Sequence, residues 1–225
     1  MDNDDLAMRY CERLTSIGYK SPDVYYVLIK SEFNLNRNPE KAFNISKKAL
    51  SDFPGNINLL EQQTDMYVRM NRNKEALSNL FLLEEKKPQD VQVLINIATQ
   101  YDKLKEHENS IQYYIKALSI DSTNYIANYN MAVYSIKQSK EIEKRIVSND
   151  SLQVSSNKLY KVTDYTKDPL RVELKNKLDQ ANAYYSKAII NSRDASEKKN
   201  LELVLSESVR LKELYLKIPI AQSKK

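Results

Sequence analysis

The chain has 225 residues, with 35 Lys and Arg against 30 Asp and Glu, a formal charge of +5, one His, one Cys, no Trp and only two Gly. Average usage of about 7% would supply roughly 16 glycines, so the turns of a β-sandwich and the Gly-rich cradles of nucleotide-binding loops are excluded. One His and one Cys leave no His/Cys zinc set and no intramolecular disulfide, while 41% hydrophobic and 29% charged residues describe a chain able to fold.

The expected elements are all helical. Residues 4–20 form a leading helix or half repeat, with Ala7, Cys11 and Leu14 on one face and Cys11 as a buried structural thiol. Residues 22–55 form a first hairpin. Tyr26, Ile29 and Phe33 share one face of its first helix, Ala42, Ser46 and Ala49 one face of its second, and Pro54-Gly55 stops it. Residues 56–89 repeat the pattern with Leu60, Gln63 and Tyr67, then Ala76, Leu80 and Leu83, then Pro88. Residues 90–123 repeat it with Leu94, Ile97 and Tyr101, then Ser110, Tyr114 and Ala117. The period is 34 residues, and Gln63 is its one misfit. Residues 124–193 begin a fourth hairpin with Asn128, Met131, Ala132 and Tyr134. Its second-helix pattern returns only at Ala181, Tyr185 and Ala188, so about 37 residues are inserted. The flanks 137–147 and 171–180 read as helix and the Ser/Asn-rich tip 148–168 as a loop, ended by Asp168-Pro169. Residues 194–218 form a capping helix that opens on Asp194 and Glu197, carries Leu201, Val204, Leu205, Ser208, Leu211 and Tyr215 in one stripe, and stops before Pro219. The rival role for this helix is to fold into the groove as a ligand of its own chain.

A 34-residue period with a first helix of the kind L-x2-I-A-x2-Y (Leu94, Ile97, Ala98, Tyr101), then Ala42-x3-Ser46-x2-Ala49-x4-Pro54, resembles the tetratricopeptide repeat family. The likeness runs through residues 22–136. Lys30 and Thr64 stand where the family has a small residue, which predicts looser helix contact there. The resemblance implies an all-α, right-handed α-solenoid of helical hairpins with an elongated last hairpin and a capping helix, in one domain spanning 1–225. A hairpin cannot bury its apolar face alone, and stacking supplies the missing core. The leading helix matches a second-helix pattern without its first helix. The chain therefore reads as beginning inside a repeat of a longer protein, with a native capping helix as the alternative.

The resemblance implies a non-catalytic scaffold for protein–protein interaction that binds a peptide or helix in its groove. No cofactor and no metal are expected, and no apolar run reaches the ~18 residues of a membrane span. The first-helix face turned away from the partner helix supplies the candidates: Gln62, Asp65 and Arg69; then Ile95, Asn96, Thr99 and Lys103; then Tyr129, Asn130, Val133 and Lys137. Asn96 and Asn130 could both donate to and accept from a peptide backbone. Arg69, Lys103 and Lys137, spaced by 34, could read acidic side chains or a C-terminal carboxylate. Val27 and Ser31 depart from the carboxylate clamp of the chaperone-binding subfamily.

The rival function is anion or nucleic-acid binding. Residues 1–135 carry 16 basic and 18 acidic groups, whereas 136–225 carry 19 and 12, which puts the positive charge on the insertion and cap. The interspersed glutamates argue against nucleic acid. A second rival is self-association through the open N-terminal face. The Lys-, Asn-, Ile- and Tyr-rich composition fits a bacterial source, and the resemblance leaves the cell envelope (periplasm) and the cytoplasm open.

Overall fold

A computed structural model describes residues 3–35, 37–155, 168–192 and 194–216. Ten α-helices and no strand occur among them: α1 (Asn3–Ser16), α2 (Pro22–Lys30), α3 (Pro39–Asp52), α4 (Ile57–Arg69), α5 (Asn73–Lys86), α6 (Val91–Lys103), α7 (His107–Ile120), α8 (Tyr125–Ser155), α9 (Pro169–Ile190) and α10 (Ala195–Tyr215). A π-turn, Ser31–Leu35, extends α2. The chain divides into two compact units, residues 1–113 and 114–225, and the division falls inside α7.

The period is visible in the turns as well as the helices. Arg37, Asn71 and Lys105 all lie in the left-handed backbone region, with φ of 50°, 56° and 64°. They are 34 residues apart. Asn71 and Lys105 each close a Schellman motif: Arg72 N–H donates to Tyr67 O at 2.9 Å and Asn71 N–H to Val68 O at 3.1 Å, and Glu106 and Lys105 do the same to Tyr101 and Asp102. The turns from each second helix to the next first helix are equally regular. Asn56, Asp90 and Asn124 cap α4, α6 and α8 by accepting from Leu59, Val93 and Ala127 N–H.

The first hairpin departs by one residue. From N-cap to the residue that closes the turn there are 17 positions (Ser21 to Asn38), against 16 for Asn56 to Arg72 and for Asp90 to Glu106. The π-turn absorbs the extra residue, and Asn38 N–H reaches back to Glu32 O at 2.8 Å. Upstream of it the buried positions match the next repeat at a spacing of 35, not 34: Val24, Tyr25, Leu28 and Ile29 answer to Leu59, Leu60, Gln63 and Thr64. This corrects three sequence expectations. Tyr26 is 40% exposed, and Tyr25 takes the core position. Leu28 answers to Gln63. Ile29, not Lys30, stands at the close helix contact; Lys30 is exposed.

In the first unit, Tyr25, Ile29, Ala42, Phe43, Ala49, Leu59, Met66, Tyr67 and Ala76 pack as one cluster across α2 to α5. Leu60, Leu77, Leu80, Leu83, Val93 and Ile97 continue it to α6. Gln63 lies between them. Its Nε2 donates to Ser46 Oγ at 3.0 Å, and its Oε1 accepts from Asn79 Nδ2 at 2.9 Å. The misfit is thus answered by two buried partners on α3 and α5. Glu32 is also buried, and Lys41 Nζ neutralises it at 2.5 Å. Cys11 packs with Val24 and Leu28, as expected of a structural thiol, and burial pushes its pKa up. The expected helix start at 4 and end at 20 become Asn3 and Ser16, because Gly18 (φ 83°) closes a Schellman motif in which Tyr19 N–H donates to Leu14 O.

In the second unit, α8 and α9 pair as a long antiparallel hairpin, and α10 packs on both. Ile136, Ile142, Ile146, Leu174, Leu178, Ala181 and Leu211 form its core. The apolar stripe of α10 is used against α8 and α9, in agreement with a capping role within this unit. α8 continues through Ser155, so residues 148–155 are helix rather than the expected loop. No Gly or Pro interrupts 125–155, and the breaks that Ser and Asn suggested are outweighed by pairing with α9. Arg171, 3% exposed on α9, donates to Asp150 at 2.8 Å and joins the two arms near their far end. The remainder of the expected tip, 156–167, lies outside the described residues, as do Arg193 and Pro219. Asp168 caps α9 and Asp194 caps α10 by accepting from Arg171 and Glu197 N–H, both at 2.9 Å.

Two predictions follow from this packing. Gln63→Ala strands the Asn79 amide and should cost about 1–3 kcal/mol, read from the urea midpoint by circular dichroism; Gln63→Ile with Asn79→Leu removes both polar partners and should recover most of the loss. An unchanged midpoint in the single variant would show the network to be inert. The second concerns Asp52, whose carboxyl is held below its ordinary value of 3.8 by hydrogen bonds from Lys20 and Tyr25. Its contribution is present above the unfolded carboxylate pKa and is lost as pH falls through the lower native value. Tyr25→Phe should therefore lower the thermal midpoint at neutral pH, and the two melting curves should converge below pH 3.8.

Candidate functional site

The faces of α2, α4 and α6 that do not meet their own second helices leave two hollows in the first unit. The one between α2 and α4 has a volume of about 580 Å³ and is lined by Asp23, Tyr26, Lys30, Asn34, Asn58, Glu61, Gln62 and Asp65. The other, about 480 Å³, lies between α4 and α6 and reaches Leu80 and Leu83 of α5. Its walls include Glu61, Thr64, Asp65, Val68, Asn96, Thr99, Gln100 and Lys103. Five of the residues expected from sequence come together here: Gln62, Asp65, Asn96, Thr99 and Lys103.

Their present partners define what each can still do. Gln62 donates its Nε2 to Tyr26 O at 2.9 Å, which ties α4 to α2. Thr99 donates back to Ile95 O at 2.8 Å. Asn96 accepts from Gln92 Nε2 at 2.9 Å through its oxygen. Arg69 is engaged inside the unit: its guanidinium donates to Asn34 Oδ1 at 2.7 Å, lies 3.6 Å from Asp65, and sits over the Phe33 ring at 4.7 Å. Glu61 is paired with Lys87 at 2.6 Å. Ile95 is a correction. It is 1% exposed and belongs to the core, where a β-branched apolar side chain replaces the solvated Glu61 of the preceding repeat.

Four of the expected residues lie in the second unit, on α8. Tyr129 stacks on Tyr125, with ring centroids 6.0 Å apart and an interplanar angle of 17°. Asn130 donates to Ile126 O at 2.9 Å. Val133 and Lys137 are exposed. Burial, with Glu197 and Tyr129 nearby, pushes the Tyr125 pKa up.

Sequence reasoning missed the contribution of α2. Asp23, Tyr26, Lys30 and Asn34 stand 35 residues before Asn58, Glu61, Asp65 and Arg69, so a search at 34 passes over them. The one-residue excess between caps, legible in Ser21 against Asn56 and Asp90, is the signal that finds them.

The basic half shows internal pairing. Lys140 meets Glu207 at 3.2 Å, Arg145 meets Glu173 at 3.2 Å, Arg210 meets Glu143 at 3.2 Å, and Lys212 meets Asp179 at 3.0 Å. These cations pair between α8, α9 and α10, which weakens the case for a phosphate-binding face. Among the described residues no group of three or more His, Cys, Asp or Glu side chains is spaced to hold a metal ion, and no helix is long and apolar enough to cross a membrane.

No protein-family model matches the sequence, and a search of curated proteins found no match. Solved structures do resemble it. A protein from Bacteroides ovatus ATCC 8483, whose description proposes protein binding, superposes with a TM-score of 0.55 at 15% identity, over 85% of this chain and 100% of its own. MamA 41-end from Desulfovibrio magneticus RS-1 gives a TM-score of 0.54 at 17% identity, over 68% of this chain and 88% of its own. A further MamA crystal structure gives 0.54 at 14% identity, over 83% and 96%. At such identities the likeness is one of fold.

Proposed function

We propose that this chain, a tandem array of tetratricopeptide-like helical hairpins, is a non-catalytic protein–protein interaction module that takes a polypeptide segment along the α2–α4–α6 face of its first unit. The observation that carries the reading is the pair of adjoining hollows on that face, which repeat with the hairpins and present side chains still able to bond. A segment laid across them would meet Gln62, Asp65, Asn96, Thr99 and Lys103 in turn. Asparagine and glutamine amides suit such a role, since each can both donate to and accept from a peptide backbone. The second unit offers a separate face on α8, where the stacked Tyr125–Tyr129 pair and Val133 supply apolar contact and Asn130 and Lys137 the polar rim. The protein-binding description of the Bacteroides ovatus relative in fold supports the same class of function.

Site-specific photocrosslinking tests this reading. A benzophenone side chain replaces Asn96, Asn130 or, as the control, the exposed Glu85 on α5. Irradiation in lysate should yield discrete polypeptide adducts from position 96 and none from position 85. Equal labelling at 96 and 85 would refute the face; adducts from 130 alone would move the function to the second unit.

A further inference from the structure

We infer that the segment seated on the first unit is basic, with an Arg or Lys side chain entering the hollow between α4 and α6. This rests on the proposed function and names the chemistry of its partner.

Hydrogen-bonding capacity on the walls of the hollows is unevenly used. Gln100 lines that hollow and is 2% exposed, and its Oε1 accepts no hydrogen bond from the described residues. The position does not require a polar side chain for packing: 34 residues earlier Met66 fills it, buried to 1%. A stranded amide oxygen costs about 1–3 kcal/mol, and an incoming donor would recover it. The neighbouring hollow repeats the condition, because Gln62 donates its Nε2 to Tyr26 while its buried Oε1 has no partner there. Both stranded groups are acceptors, and both call for N–H.

Charge leaves room for a cation. Asp23, Glu61, Asp65 and Asp90 line the two hollows against Lys30 and Lys103, with Lys87 beside Glu61 and Arg69 beside Asp65. The guanidinium expected to attract acidic side chains, Arg69, is already committed to Asn34, Asp65 and the Phe33 ring. An acidic segment would bring further acceptors to Gln100 and Gln62, whose side-chain oxygens already lack a donor. A guanidinium carries five N–H donors and no acceptor, and an ammonium three. Either can satisfy Gln100 and Asp65 together, by charge-assisted bonds at the carboxylate.

The test uses the full chain and three labelled peptide probes, alternating Arg-Ser, Gln-Ser and Glu-Ser, read by fluorescence anisotropy. The Arg-Ser probe should bind and the other two should not. Asp65→Asn and Gln100→Met should each weaken the Arg-Ser probe by about fivefold or more, while Glu85→Gln, which changes net charge equally, should leave it unchanged. Gln100→Met should melt no lower than the parent chain, since it removes a stranded acceptor, so its loss of binding is not a loss of fold. The inference falls if the Glu-Ser or Gln-Ser probe binds as well as the Arg-Ser probe, or if Glu85→Gln weakens binding as much as Asp65→Asn. Adducts from position 96 together with indifference to the Arg-Ser probe would keep the module and overturn its basic partner.

Discussion

A helical hairpin exposes more apolar surface than it can hide by itself, and everything else in this chain answers to that constraint. The small and apolar residues of α3 and α5 are useful only if a further first helix lies against them. That requires each first helix to start at one level and the chain to reverse after it at one angle. The left-handed residues Arg37, Asn71 and Lys105 set the angle, and the caps Asn56, Asp90 and Asn124 set the level. Only Asn71 is a residue that favours the left-handed region. Arg37 and Lys105 adopt it because the stacked helices on either side leave no alternative, which is tertiary structure overriding local preference.

Much of this was legible beforehand. The 34-residue period gave seven helices in the right order, the Asp168 and Asp194 caps gave two more starts, and the apolar stripe of α10 gave its buried face. What could not be read came from two sources. The first is register. A period counted from Phe33, Tyr67 and Tyr101 is correct at the end of the first helix and wrong by one residue at its beginning, so it puts Tyr26 in the core and passes over its neighbours on α2. The second is the environment of weak helix formers. Residues 148–155 look like loop because Ser, Asn and Asp compete for their own backbone, and yet pairing of α8 with α9, with Asp150 bound to Arg171, carries the helix through them.

Two sets of polar side chains in the first unit contrast. Gln63, Ser46 and Asn79 satisfy one another, which makes them part of the fold and specific to the second repeat. Gln100 and Gln62 each keep an acceptor in hand at the wall of a hollow. The difference separates residues that explain how the chain holds together from residues that explain what it could hold. Residue type alone does not make the distinction, since all are amides or hydroxyls on helices. It emerges only when donors and acceptors are paired off across neighbouring hairpins.

The π-turn after α2 has an evolutionary consequence. One residue turns an α-helix by about 100°, so an insertion at Ser31–Leu35 obliges the upstream helix to rotate back if its apolar side is to stay inside. Tyr25 and Ile29 then stay inside and Tyr26 and Lys30 outside, whatever the length of the turn. The π-turn thereby acts as a buffer, taking up one residue locally so that neither the core side nor the outward side of the helix before it has to change. Repeat proteins that differ by one residue in such a turn can share a scaffold and keep the same faces.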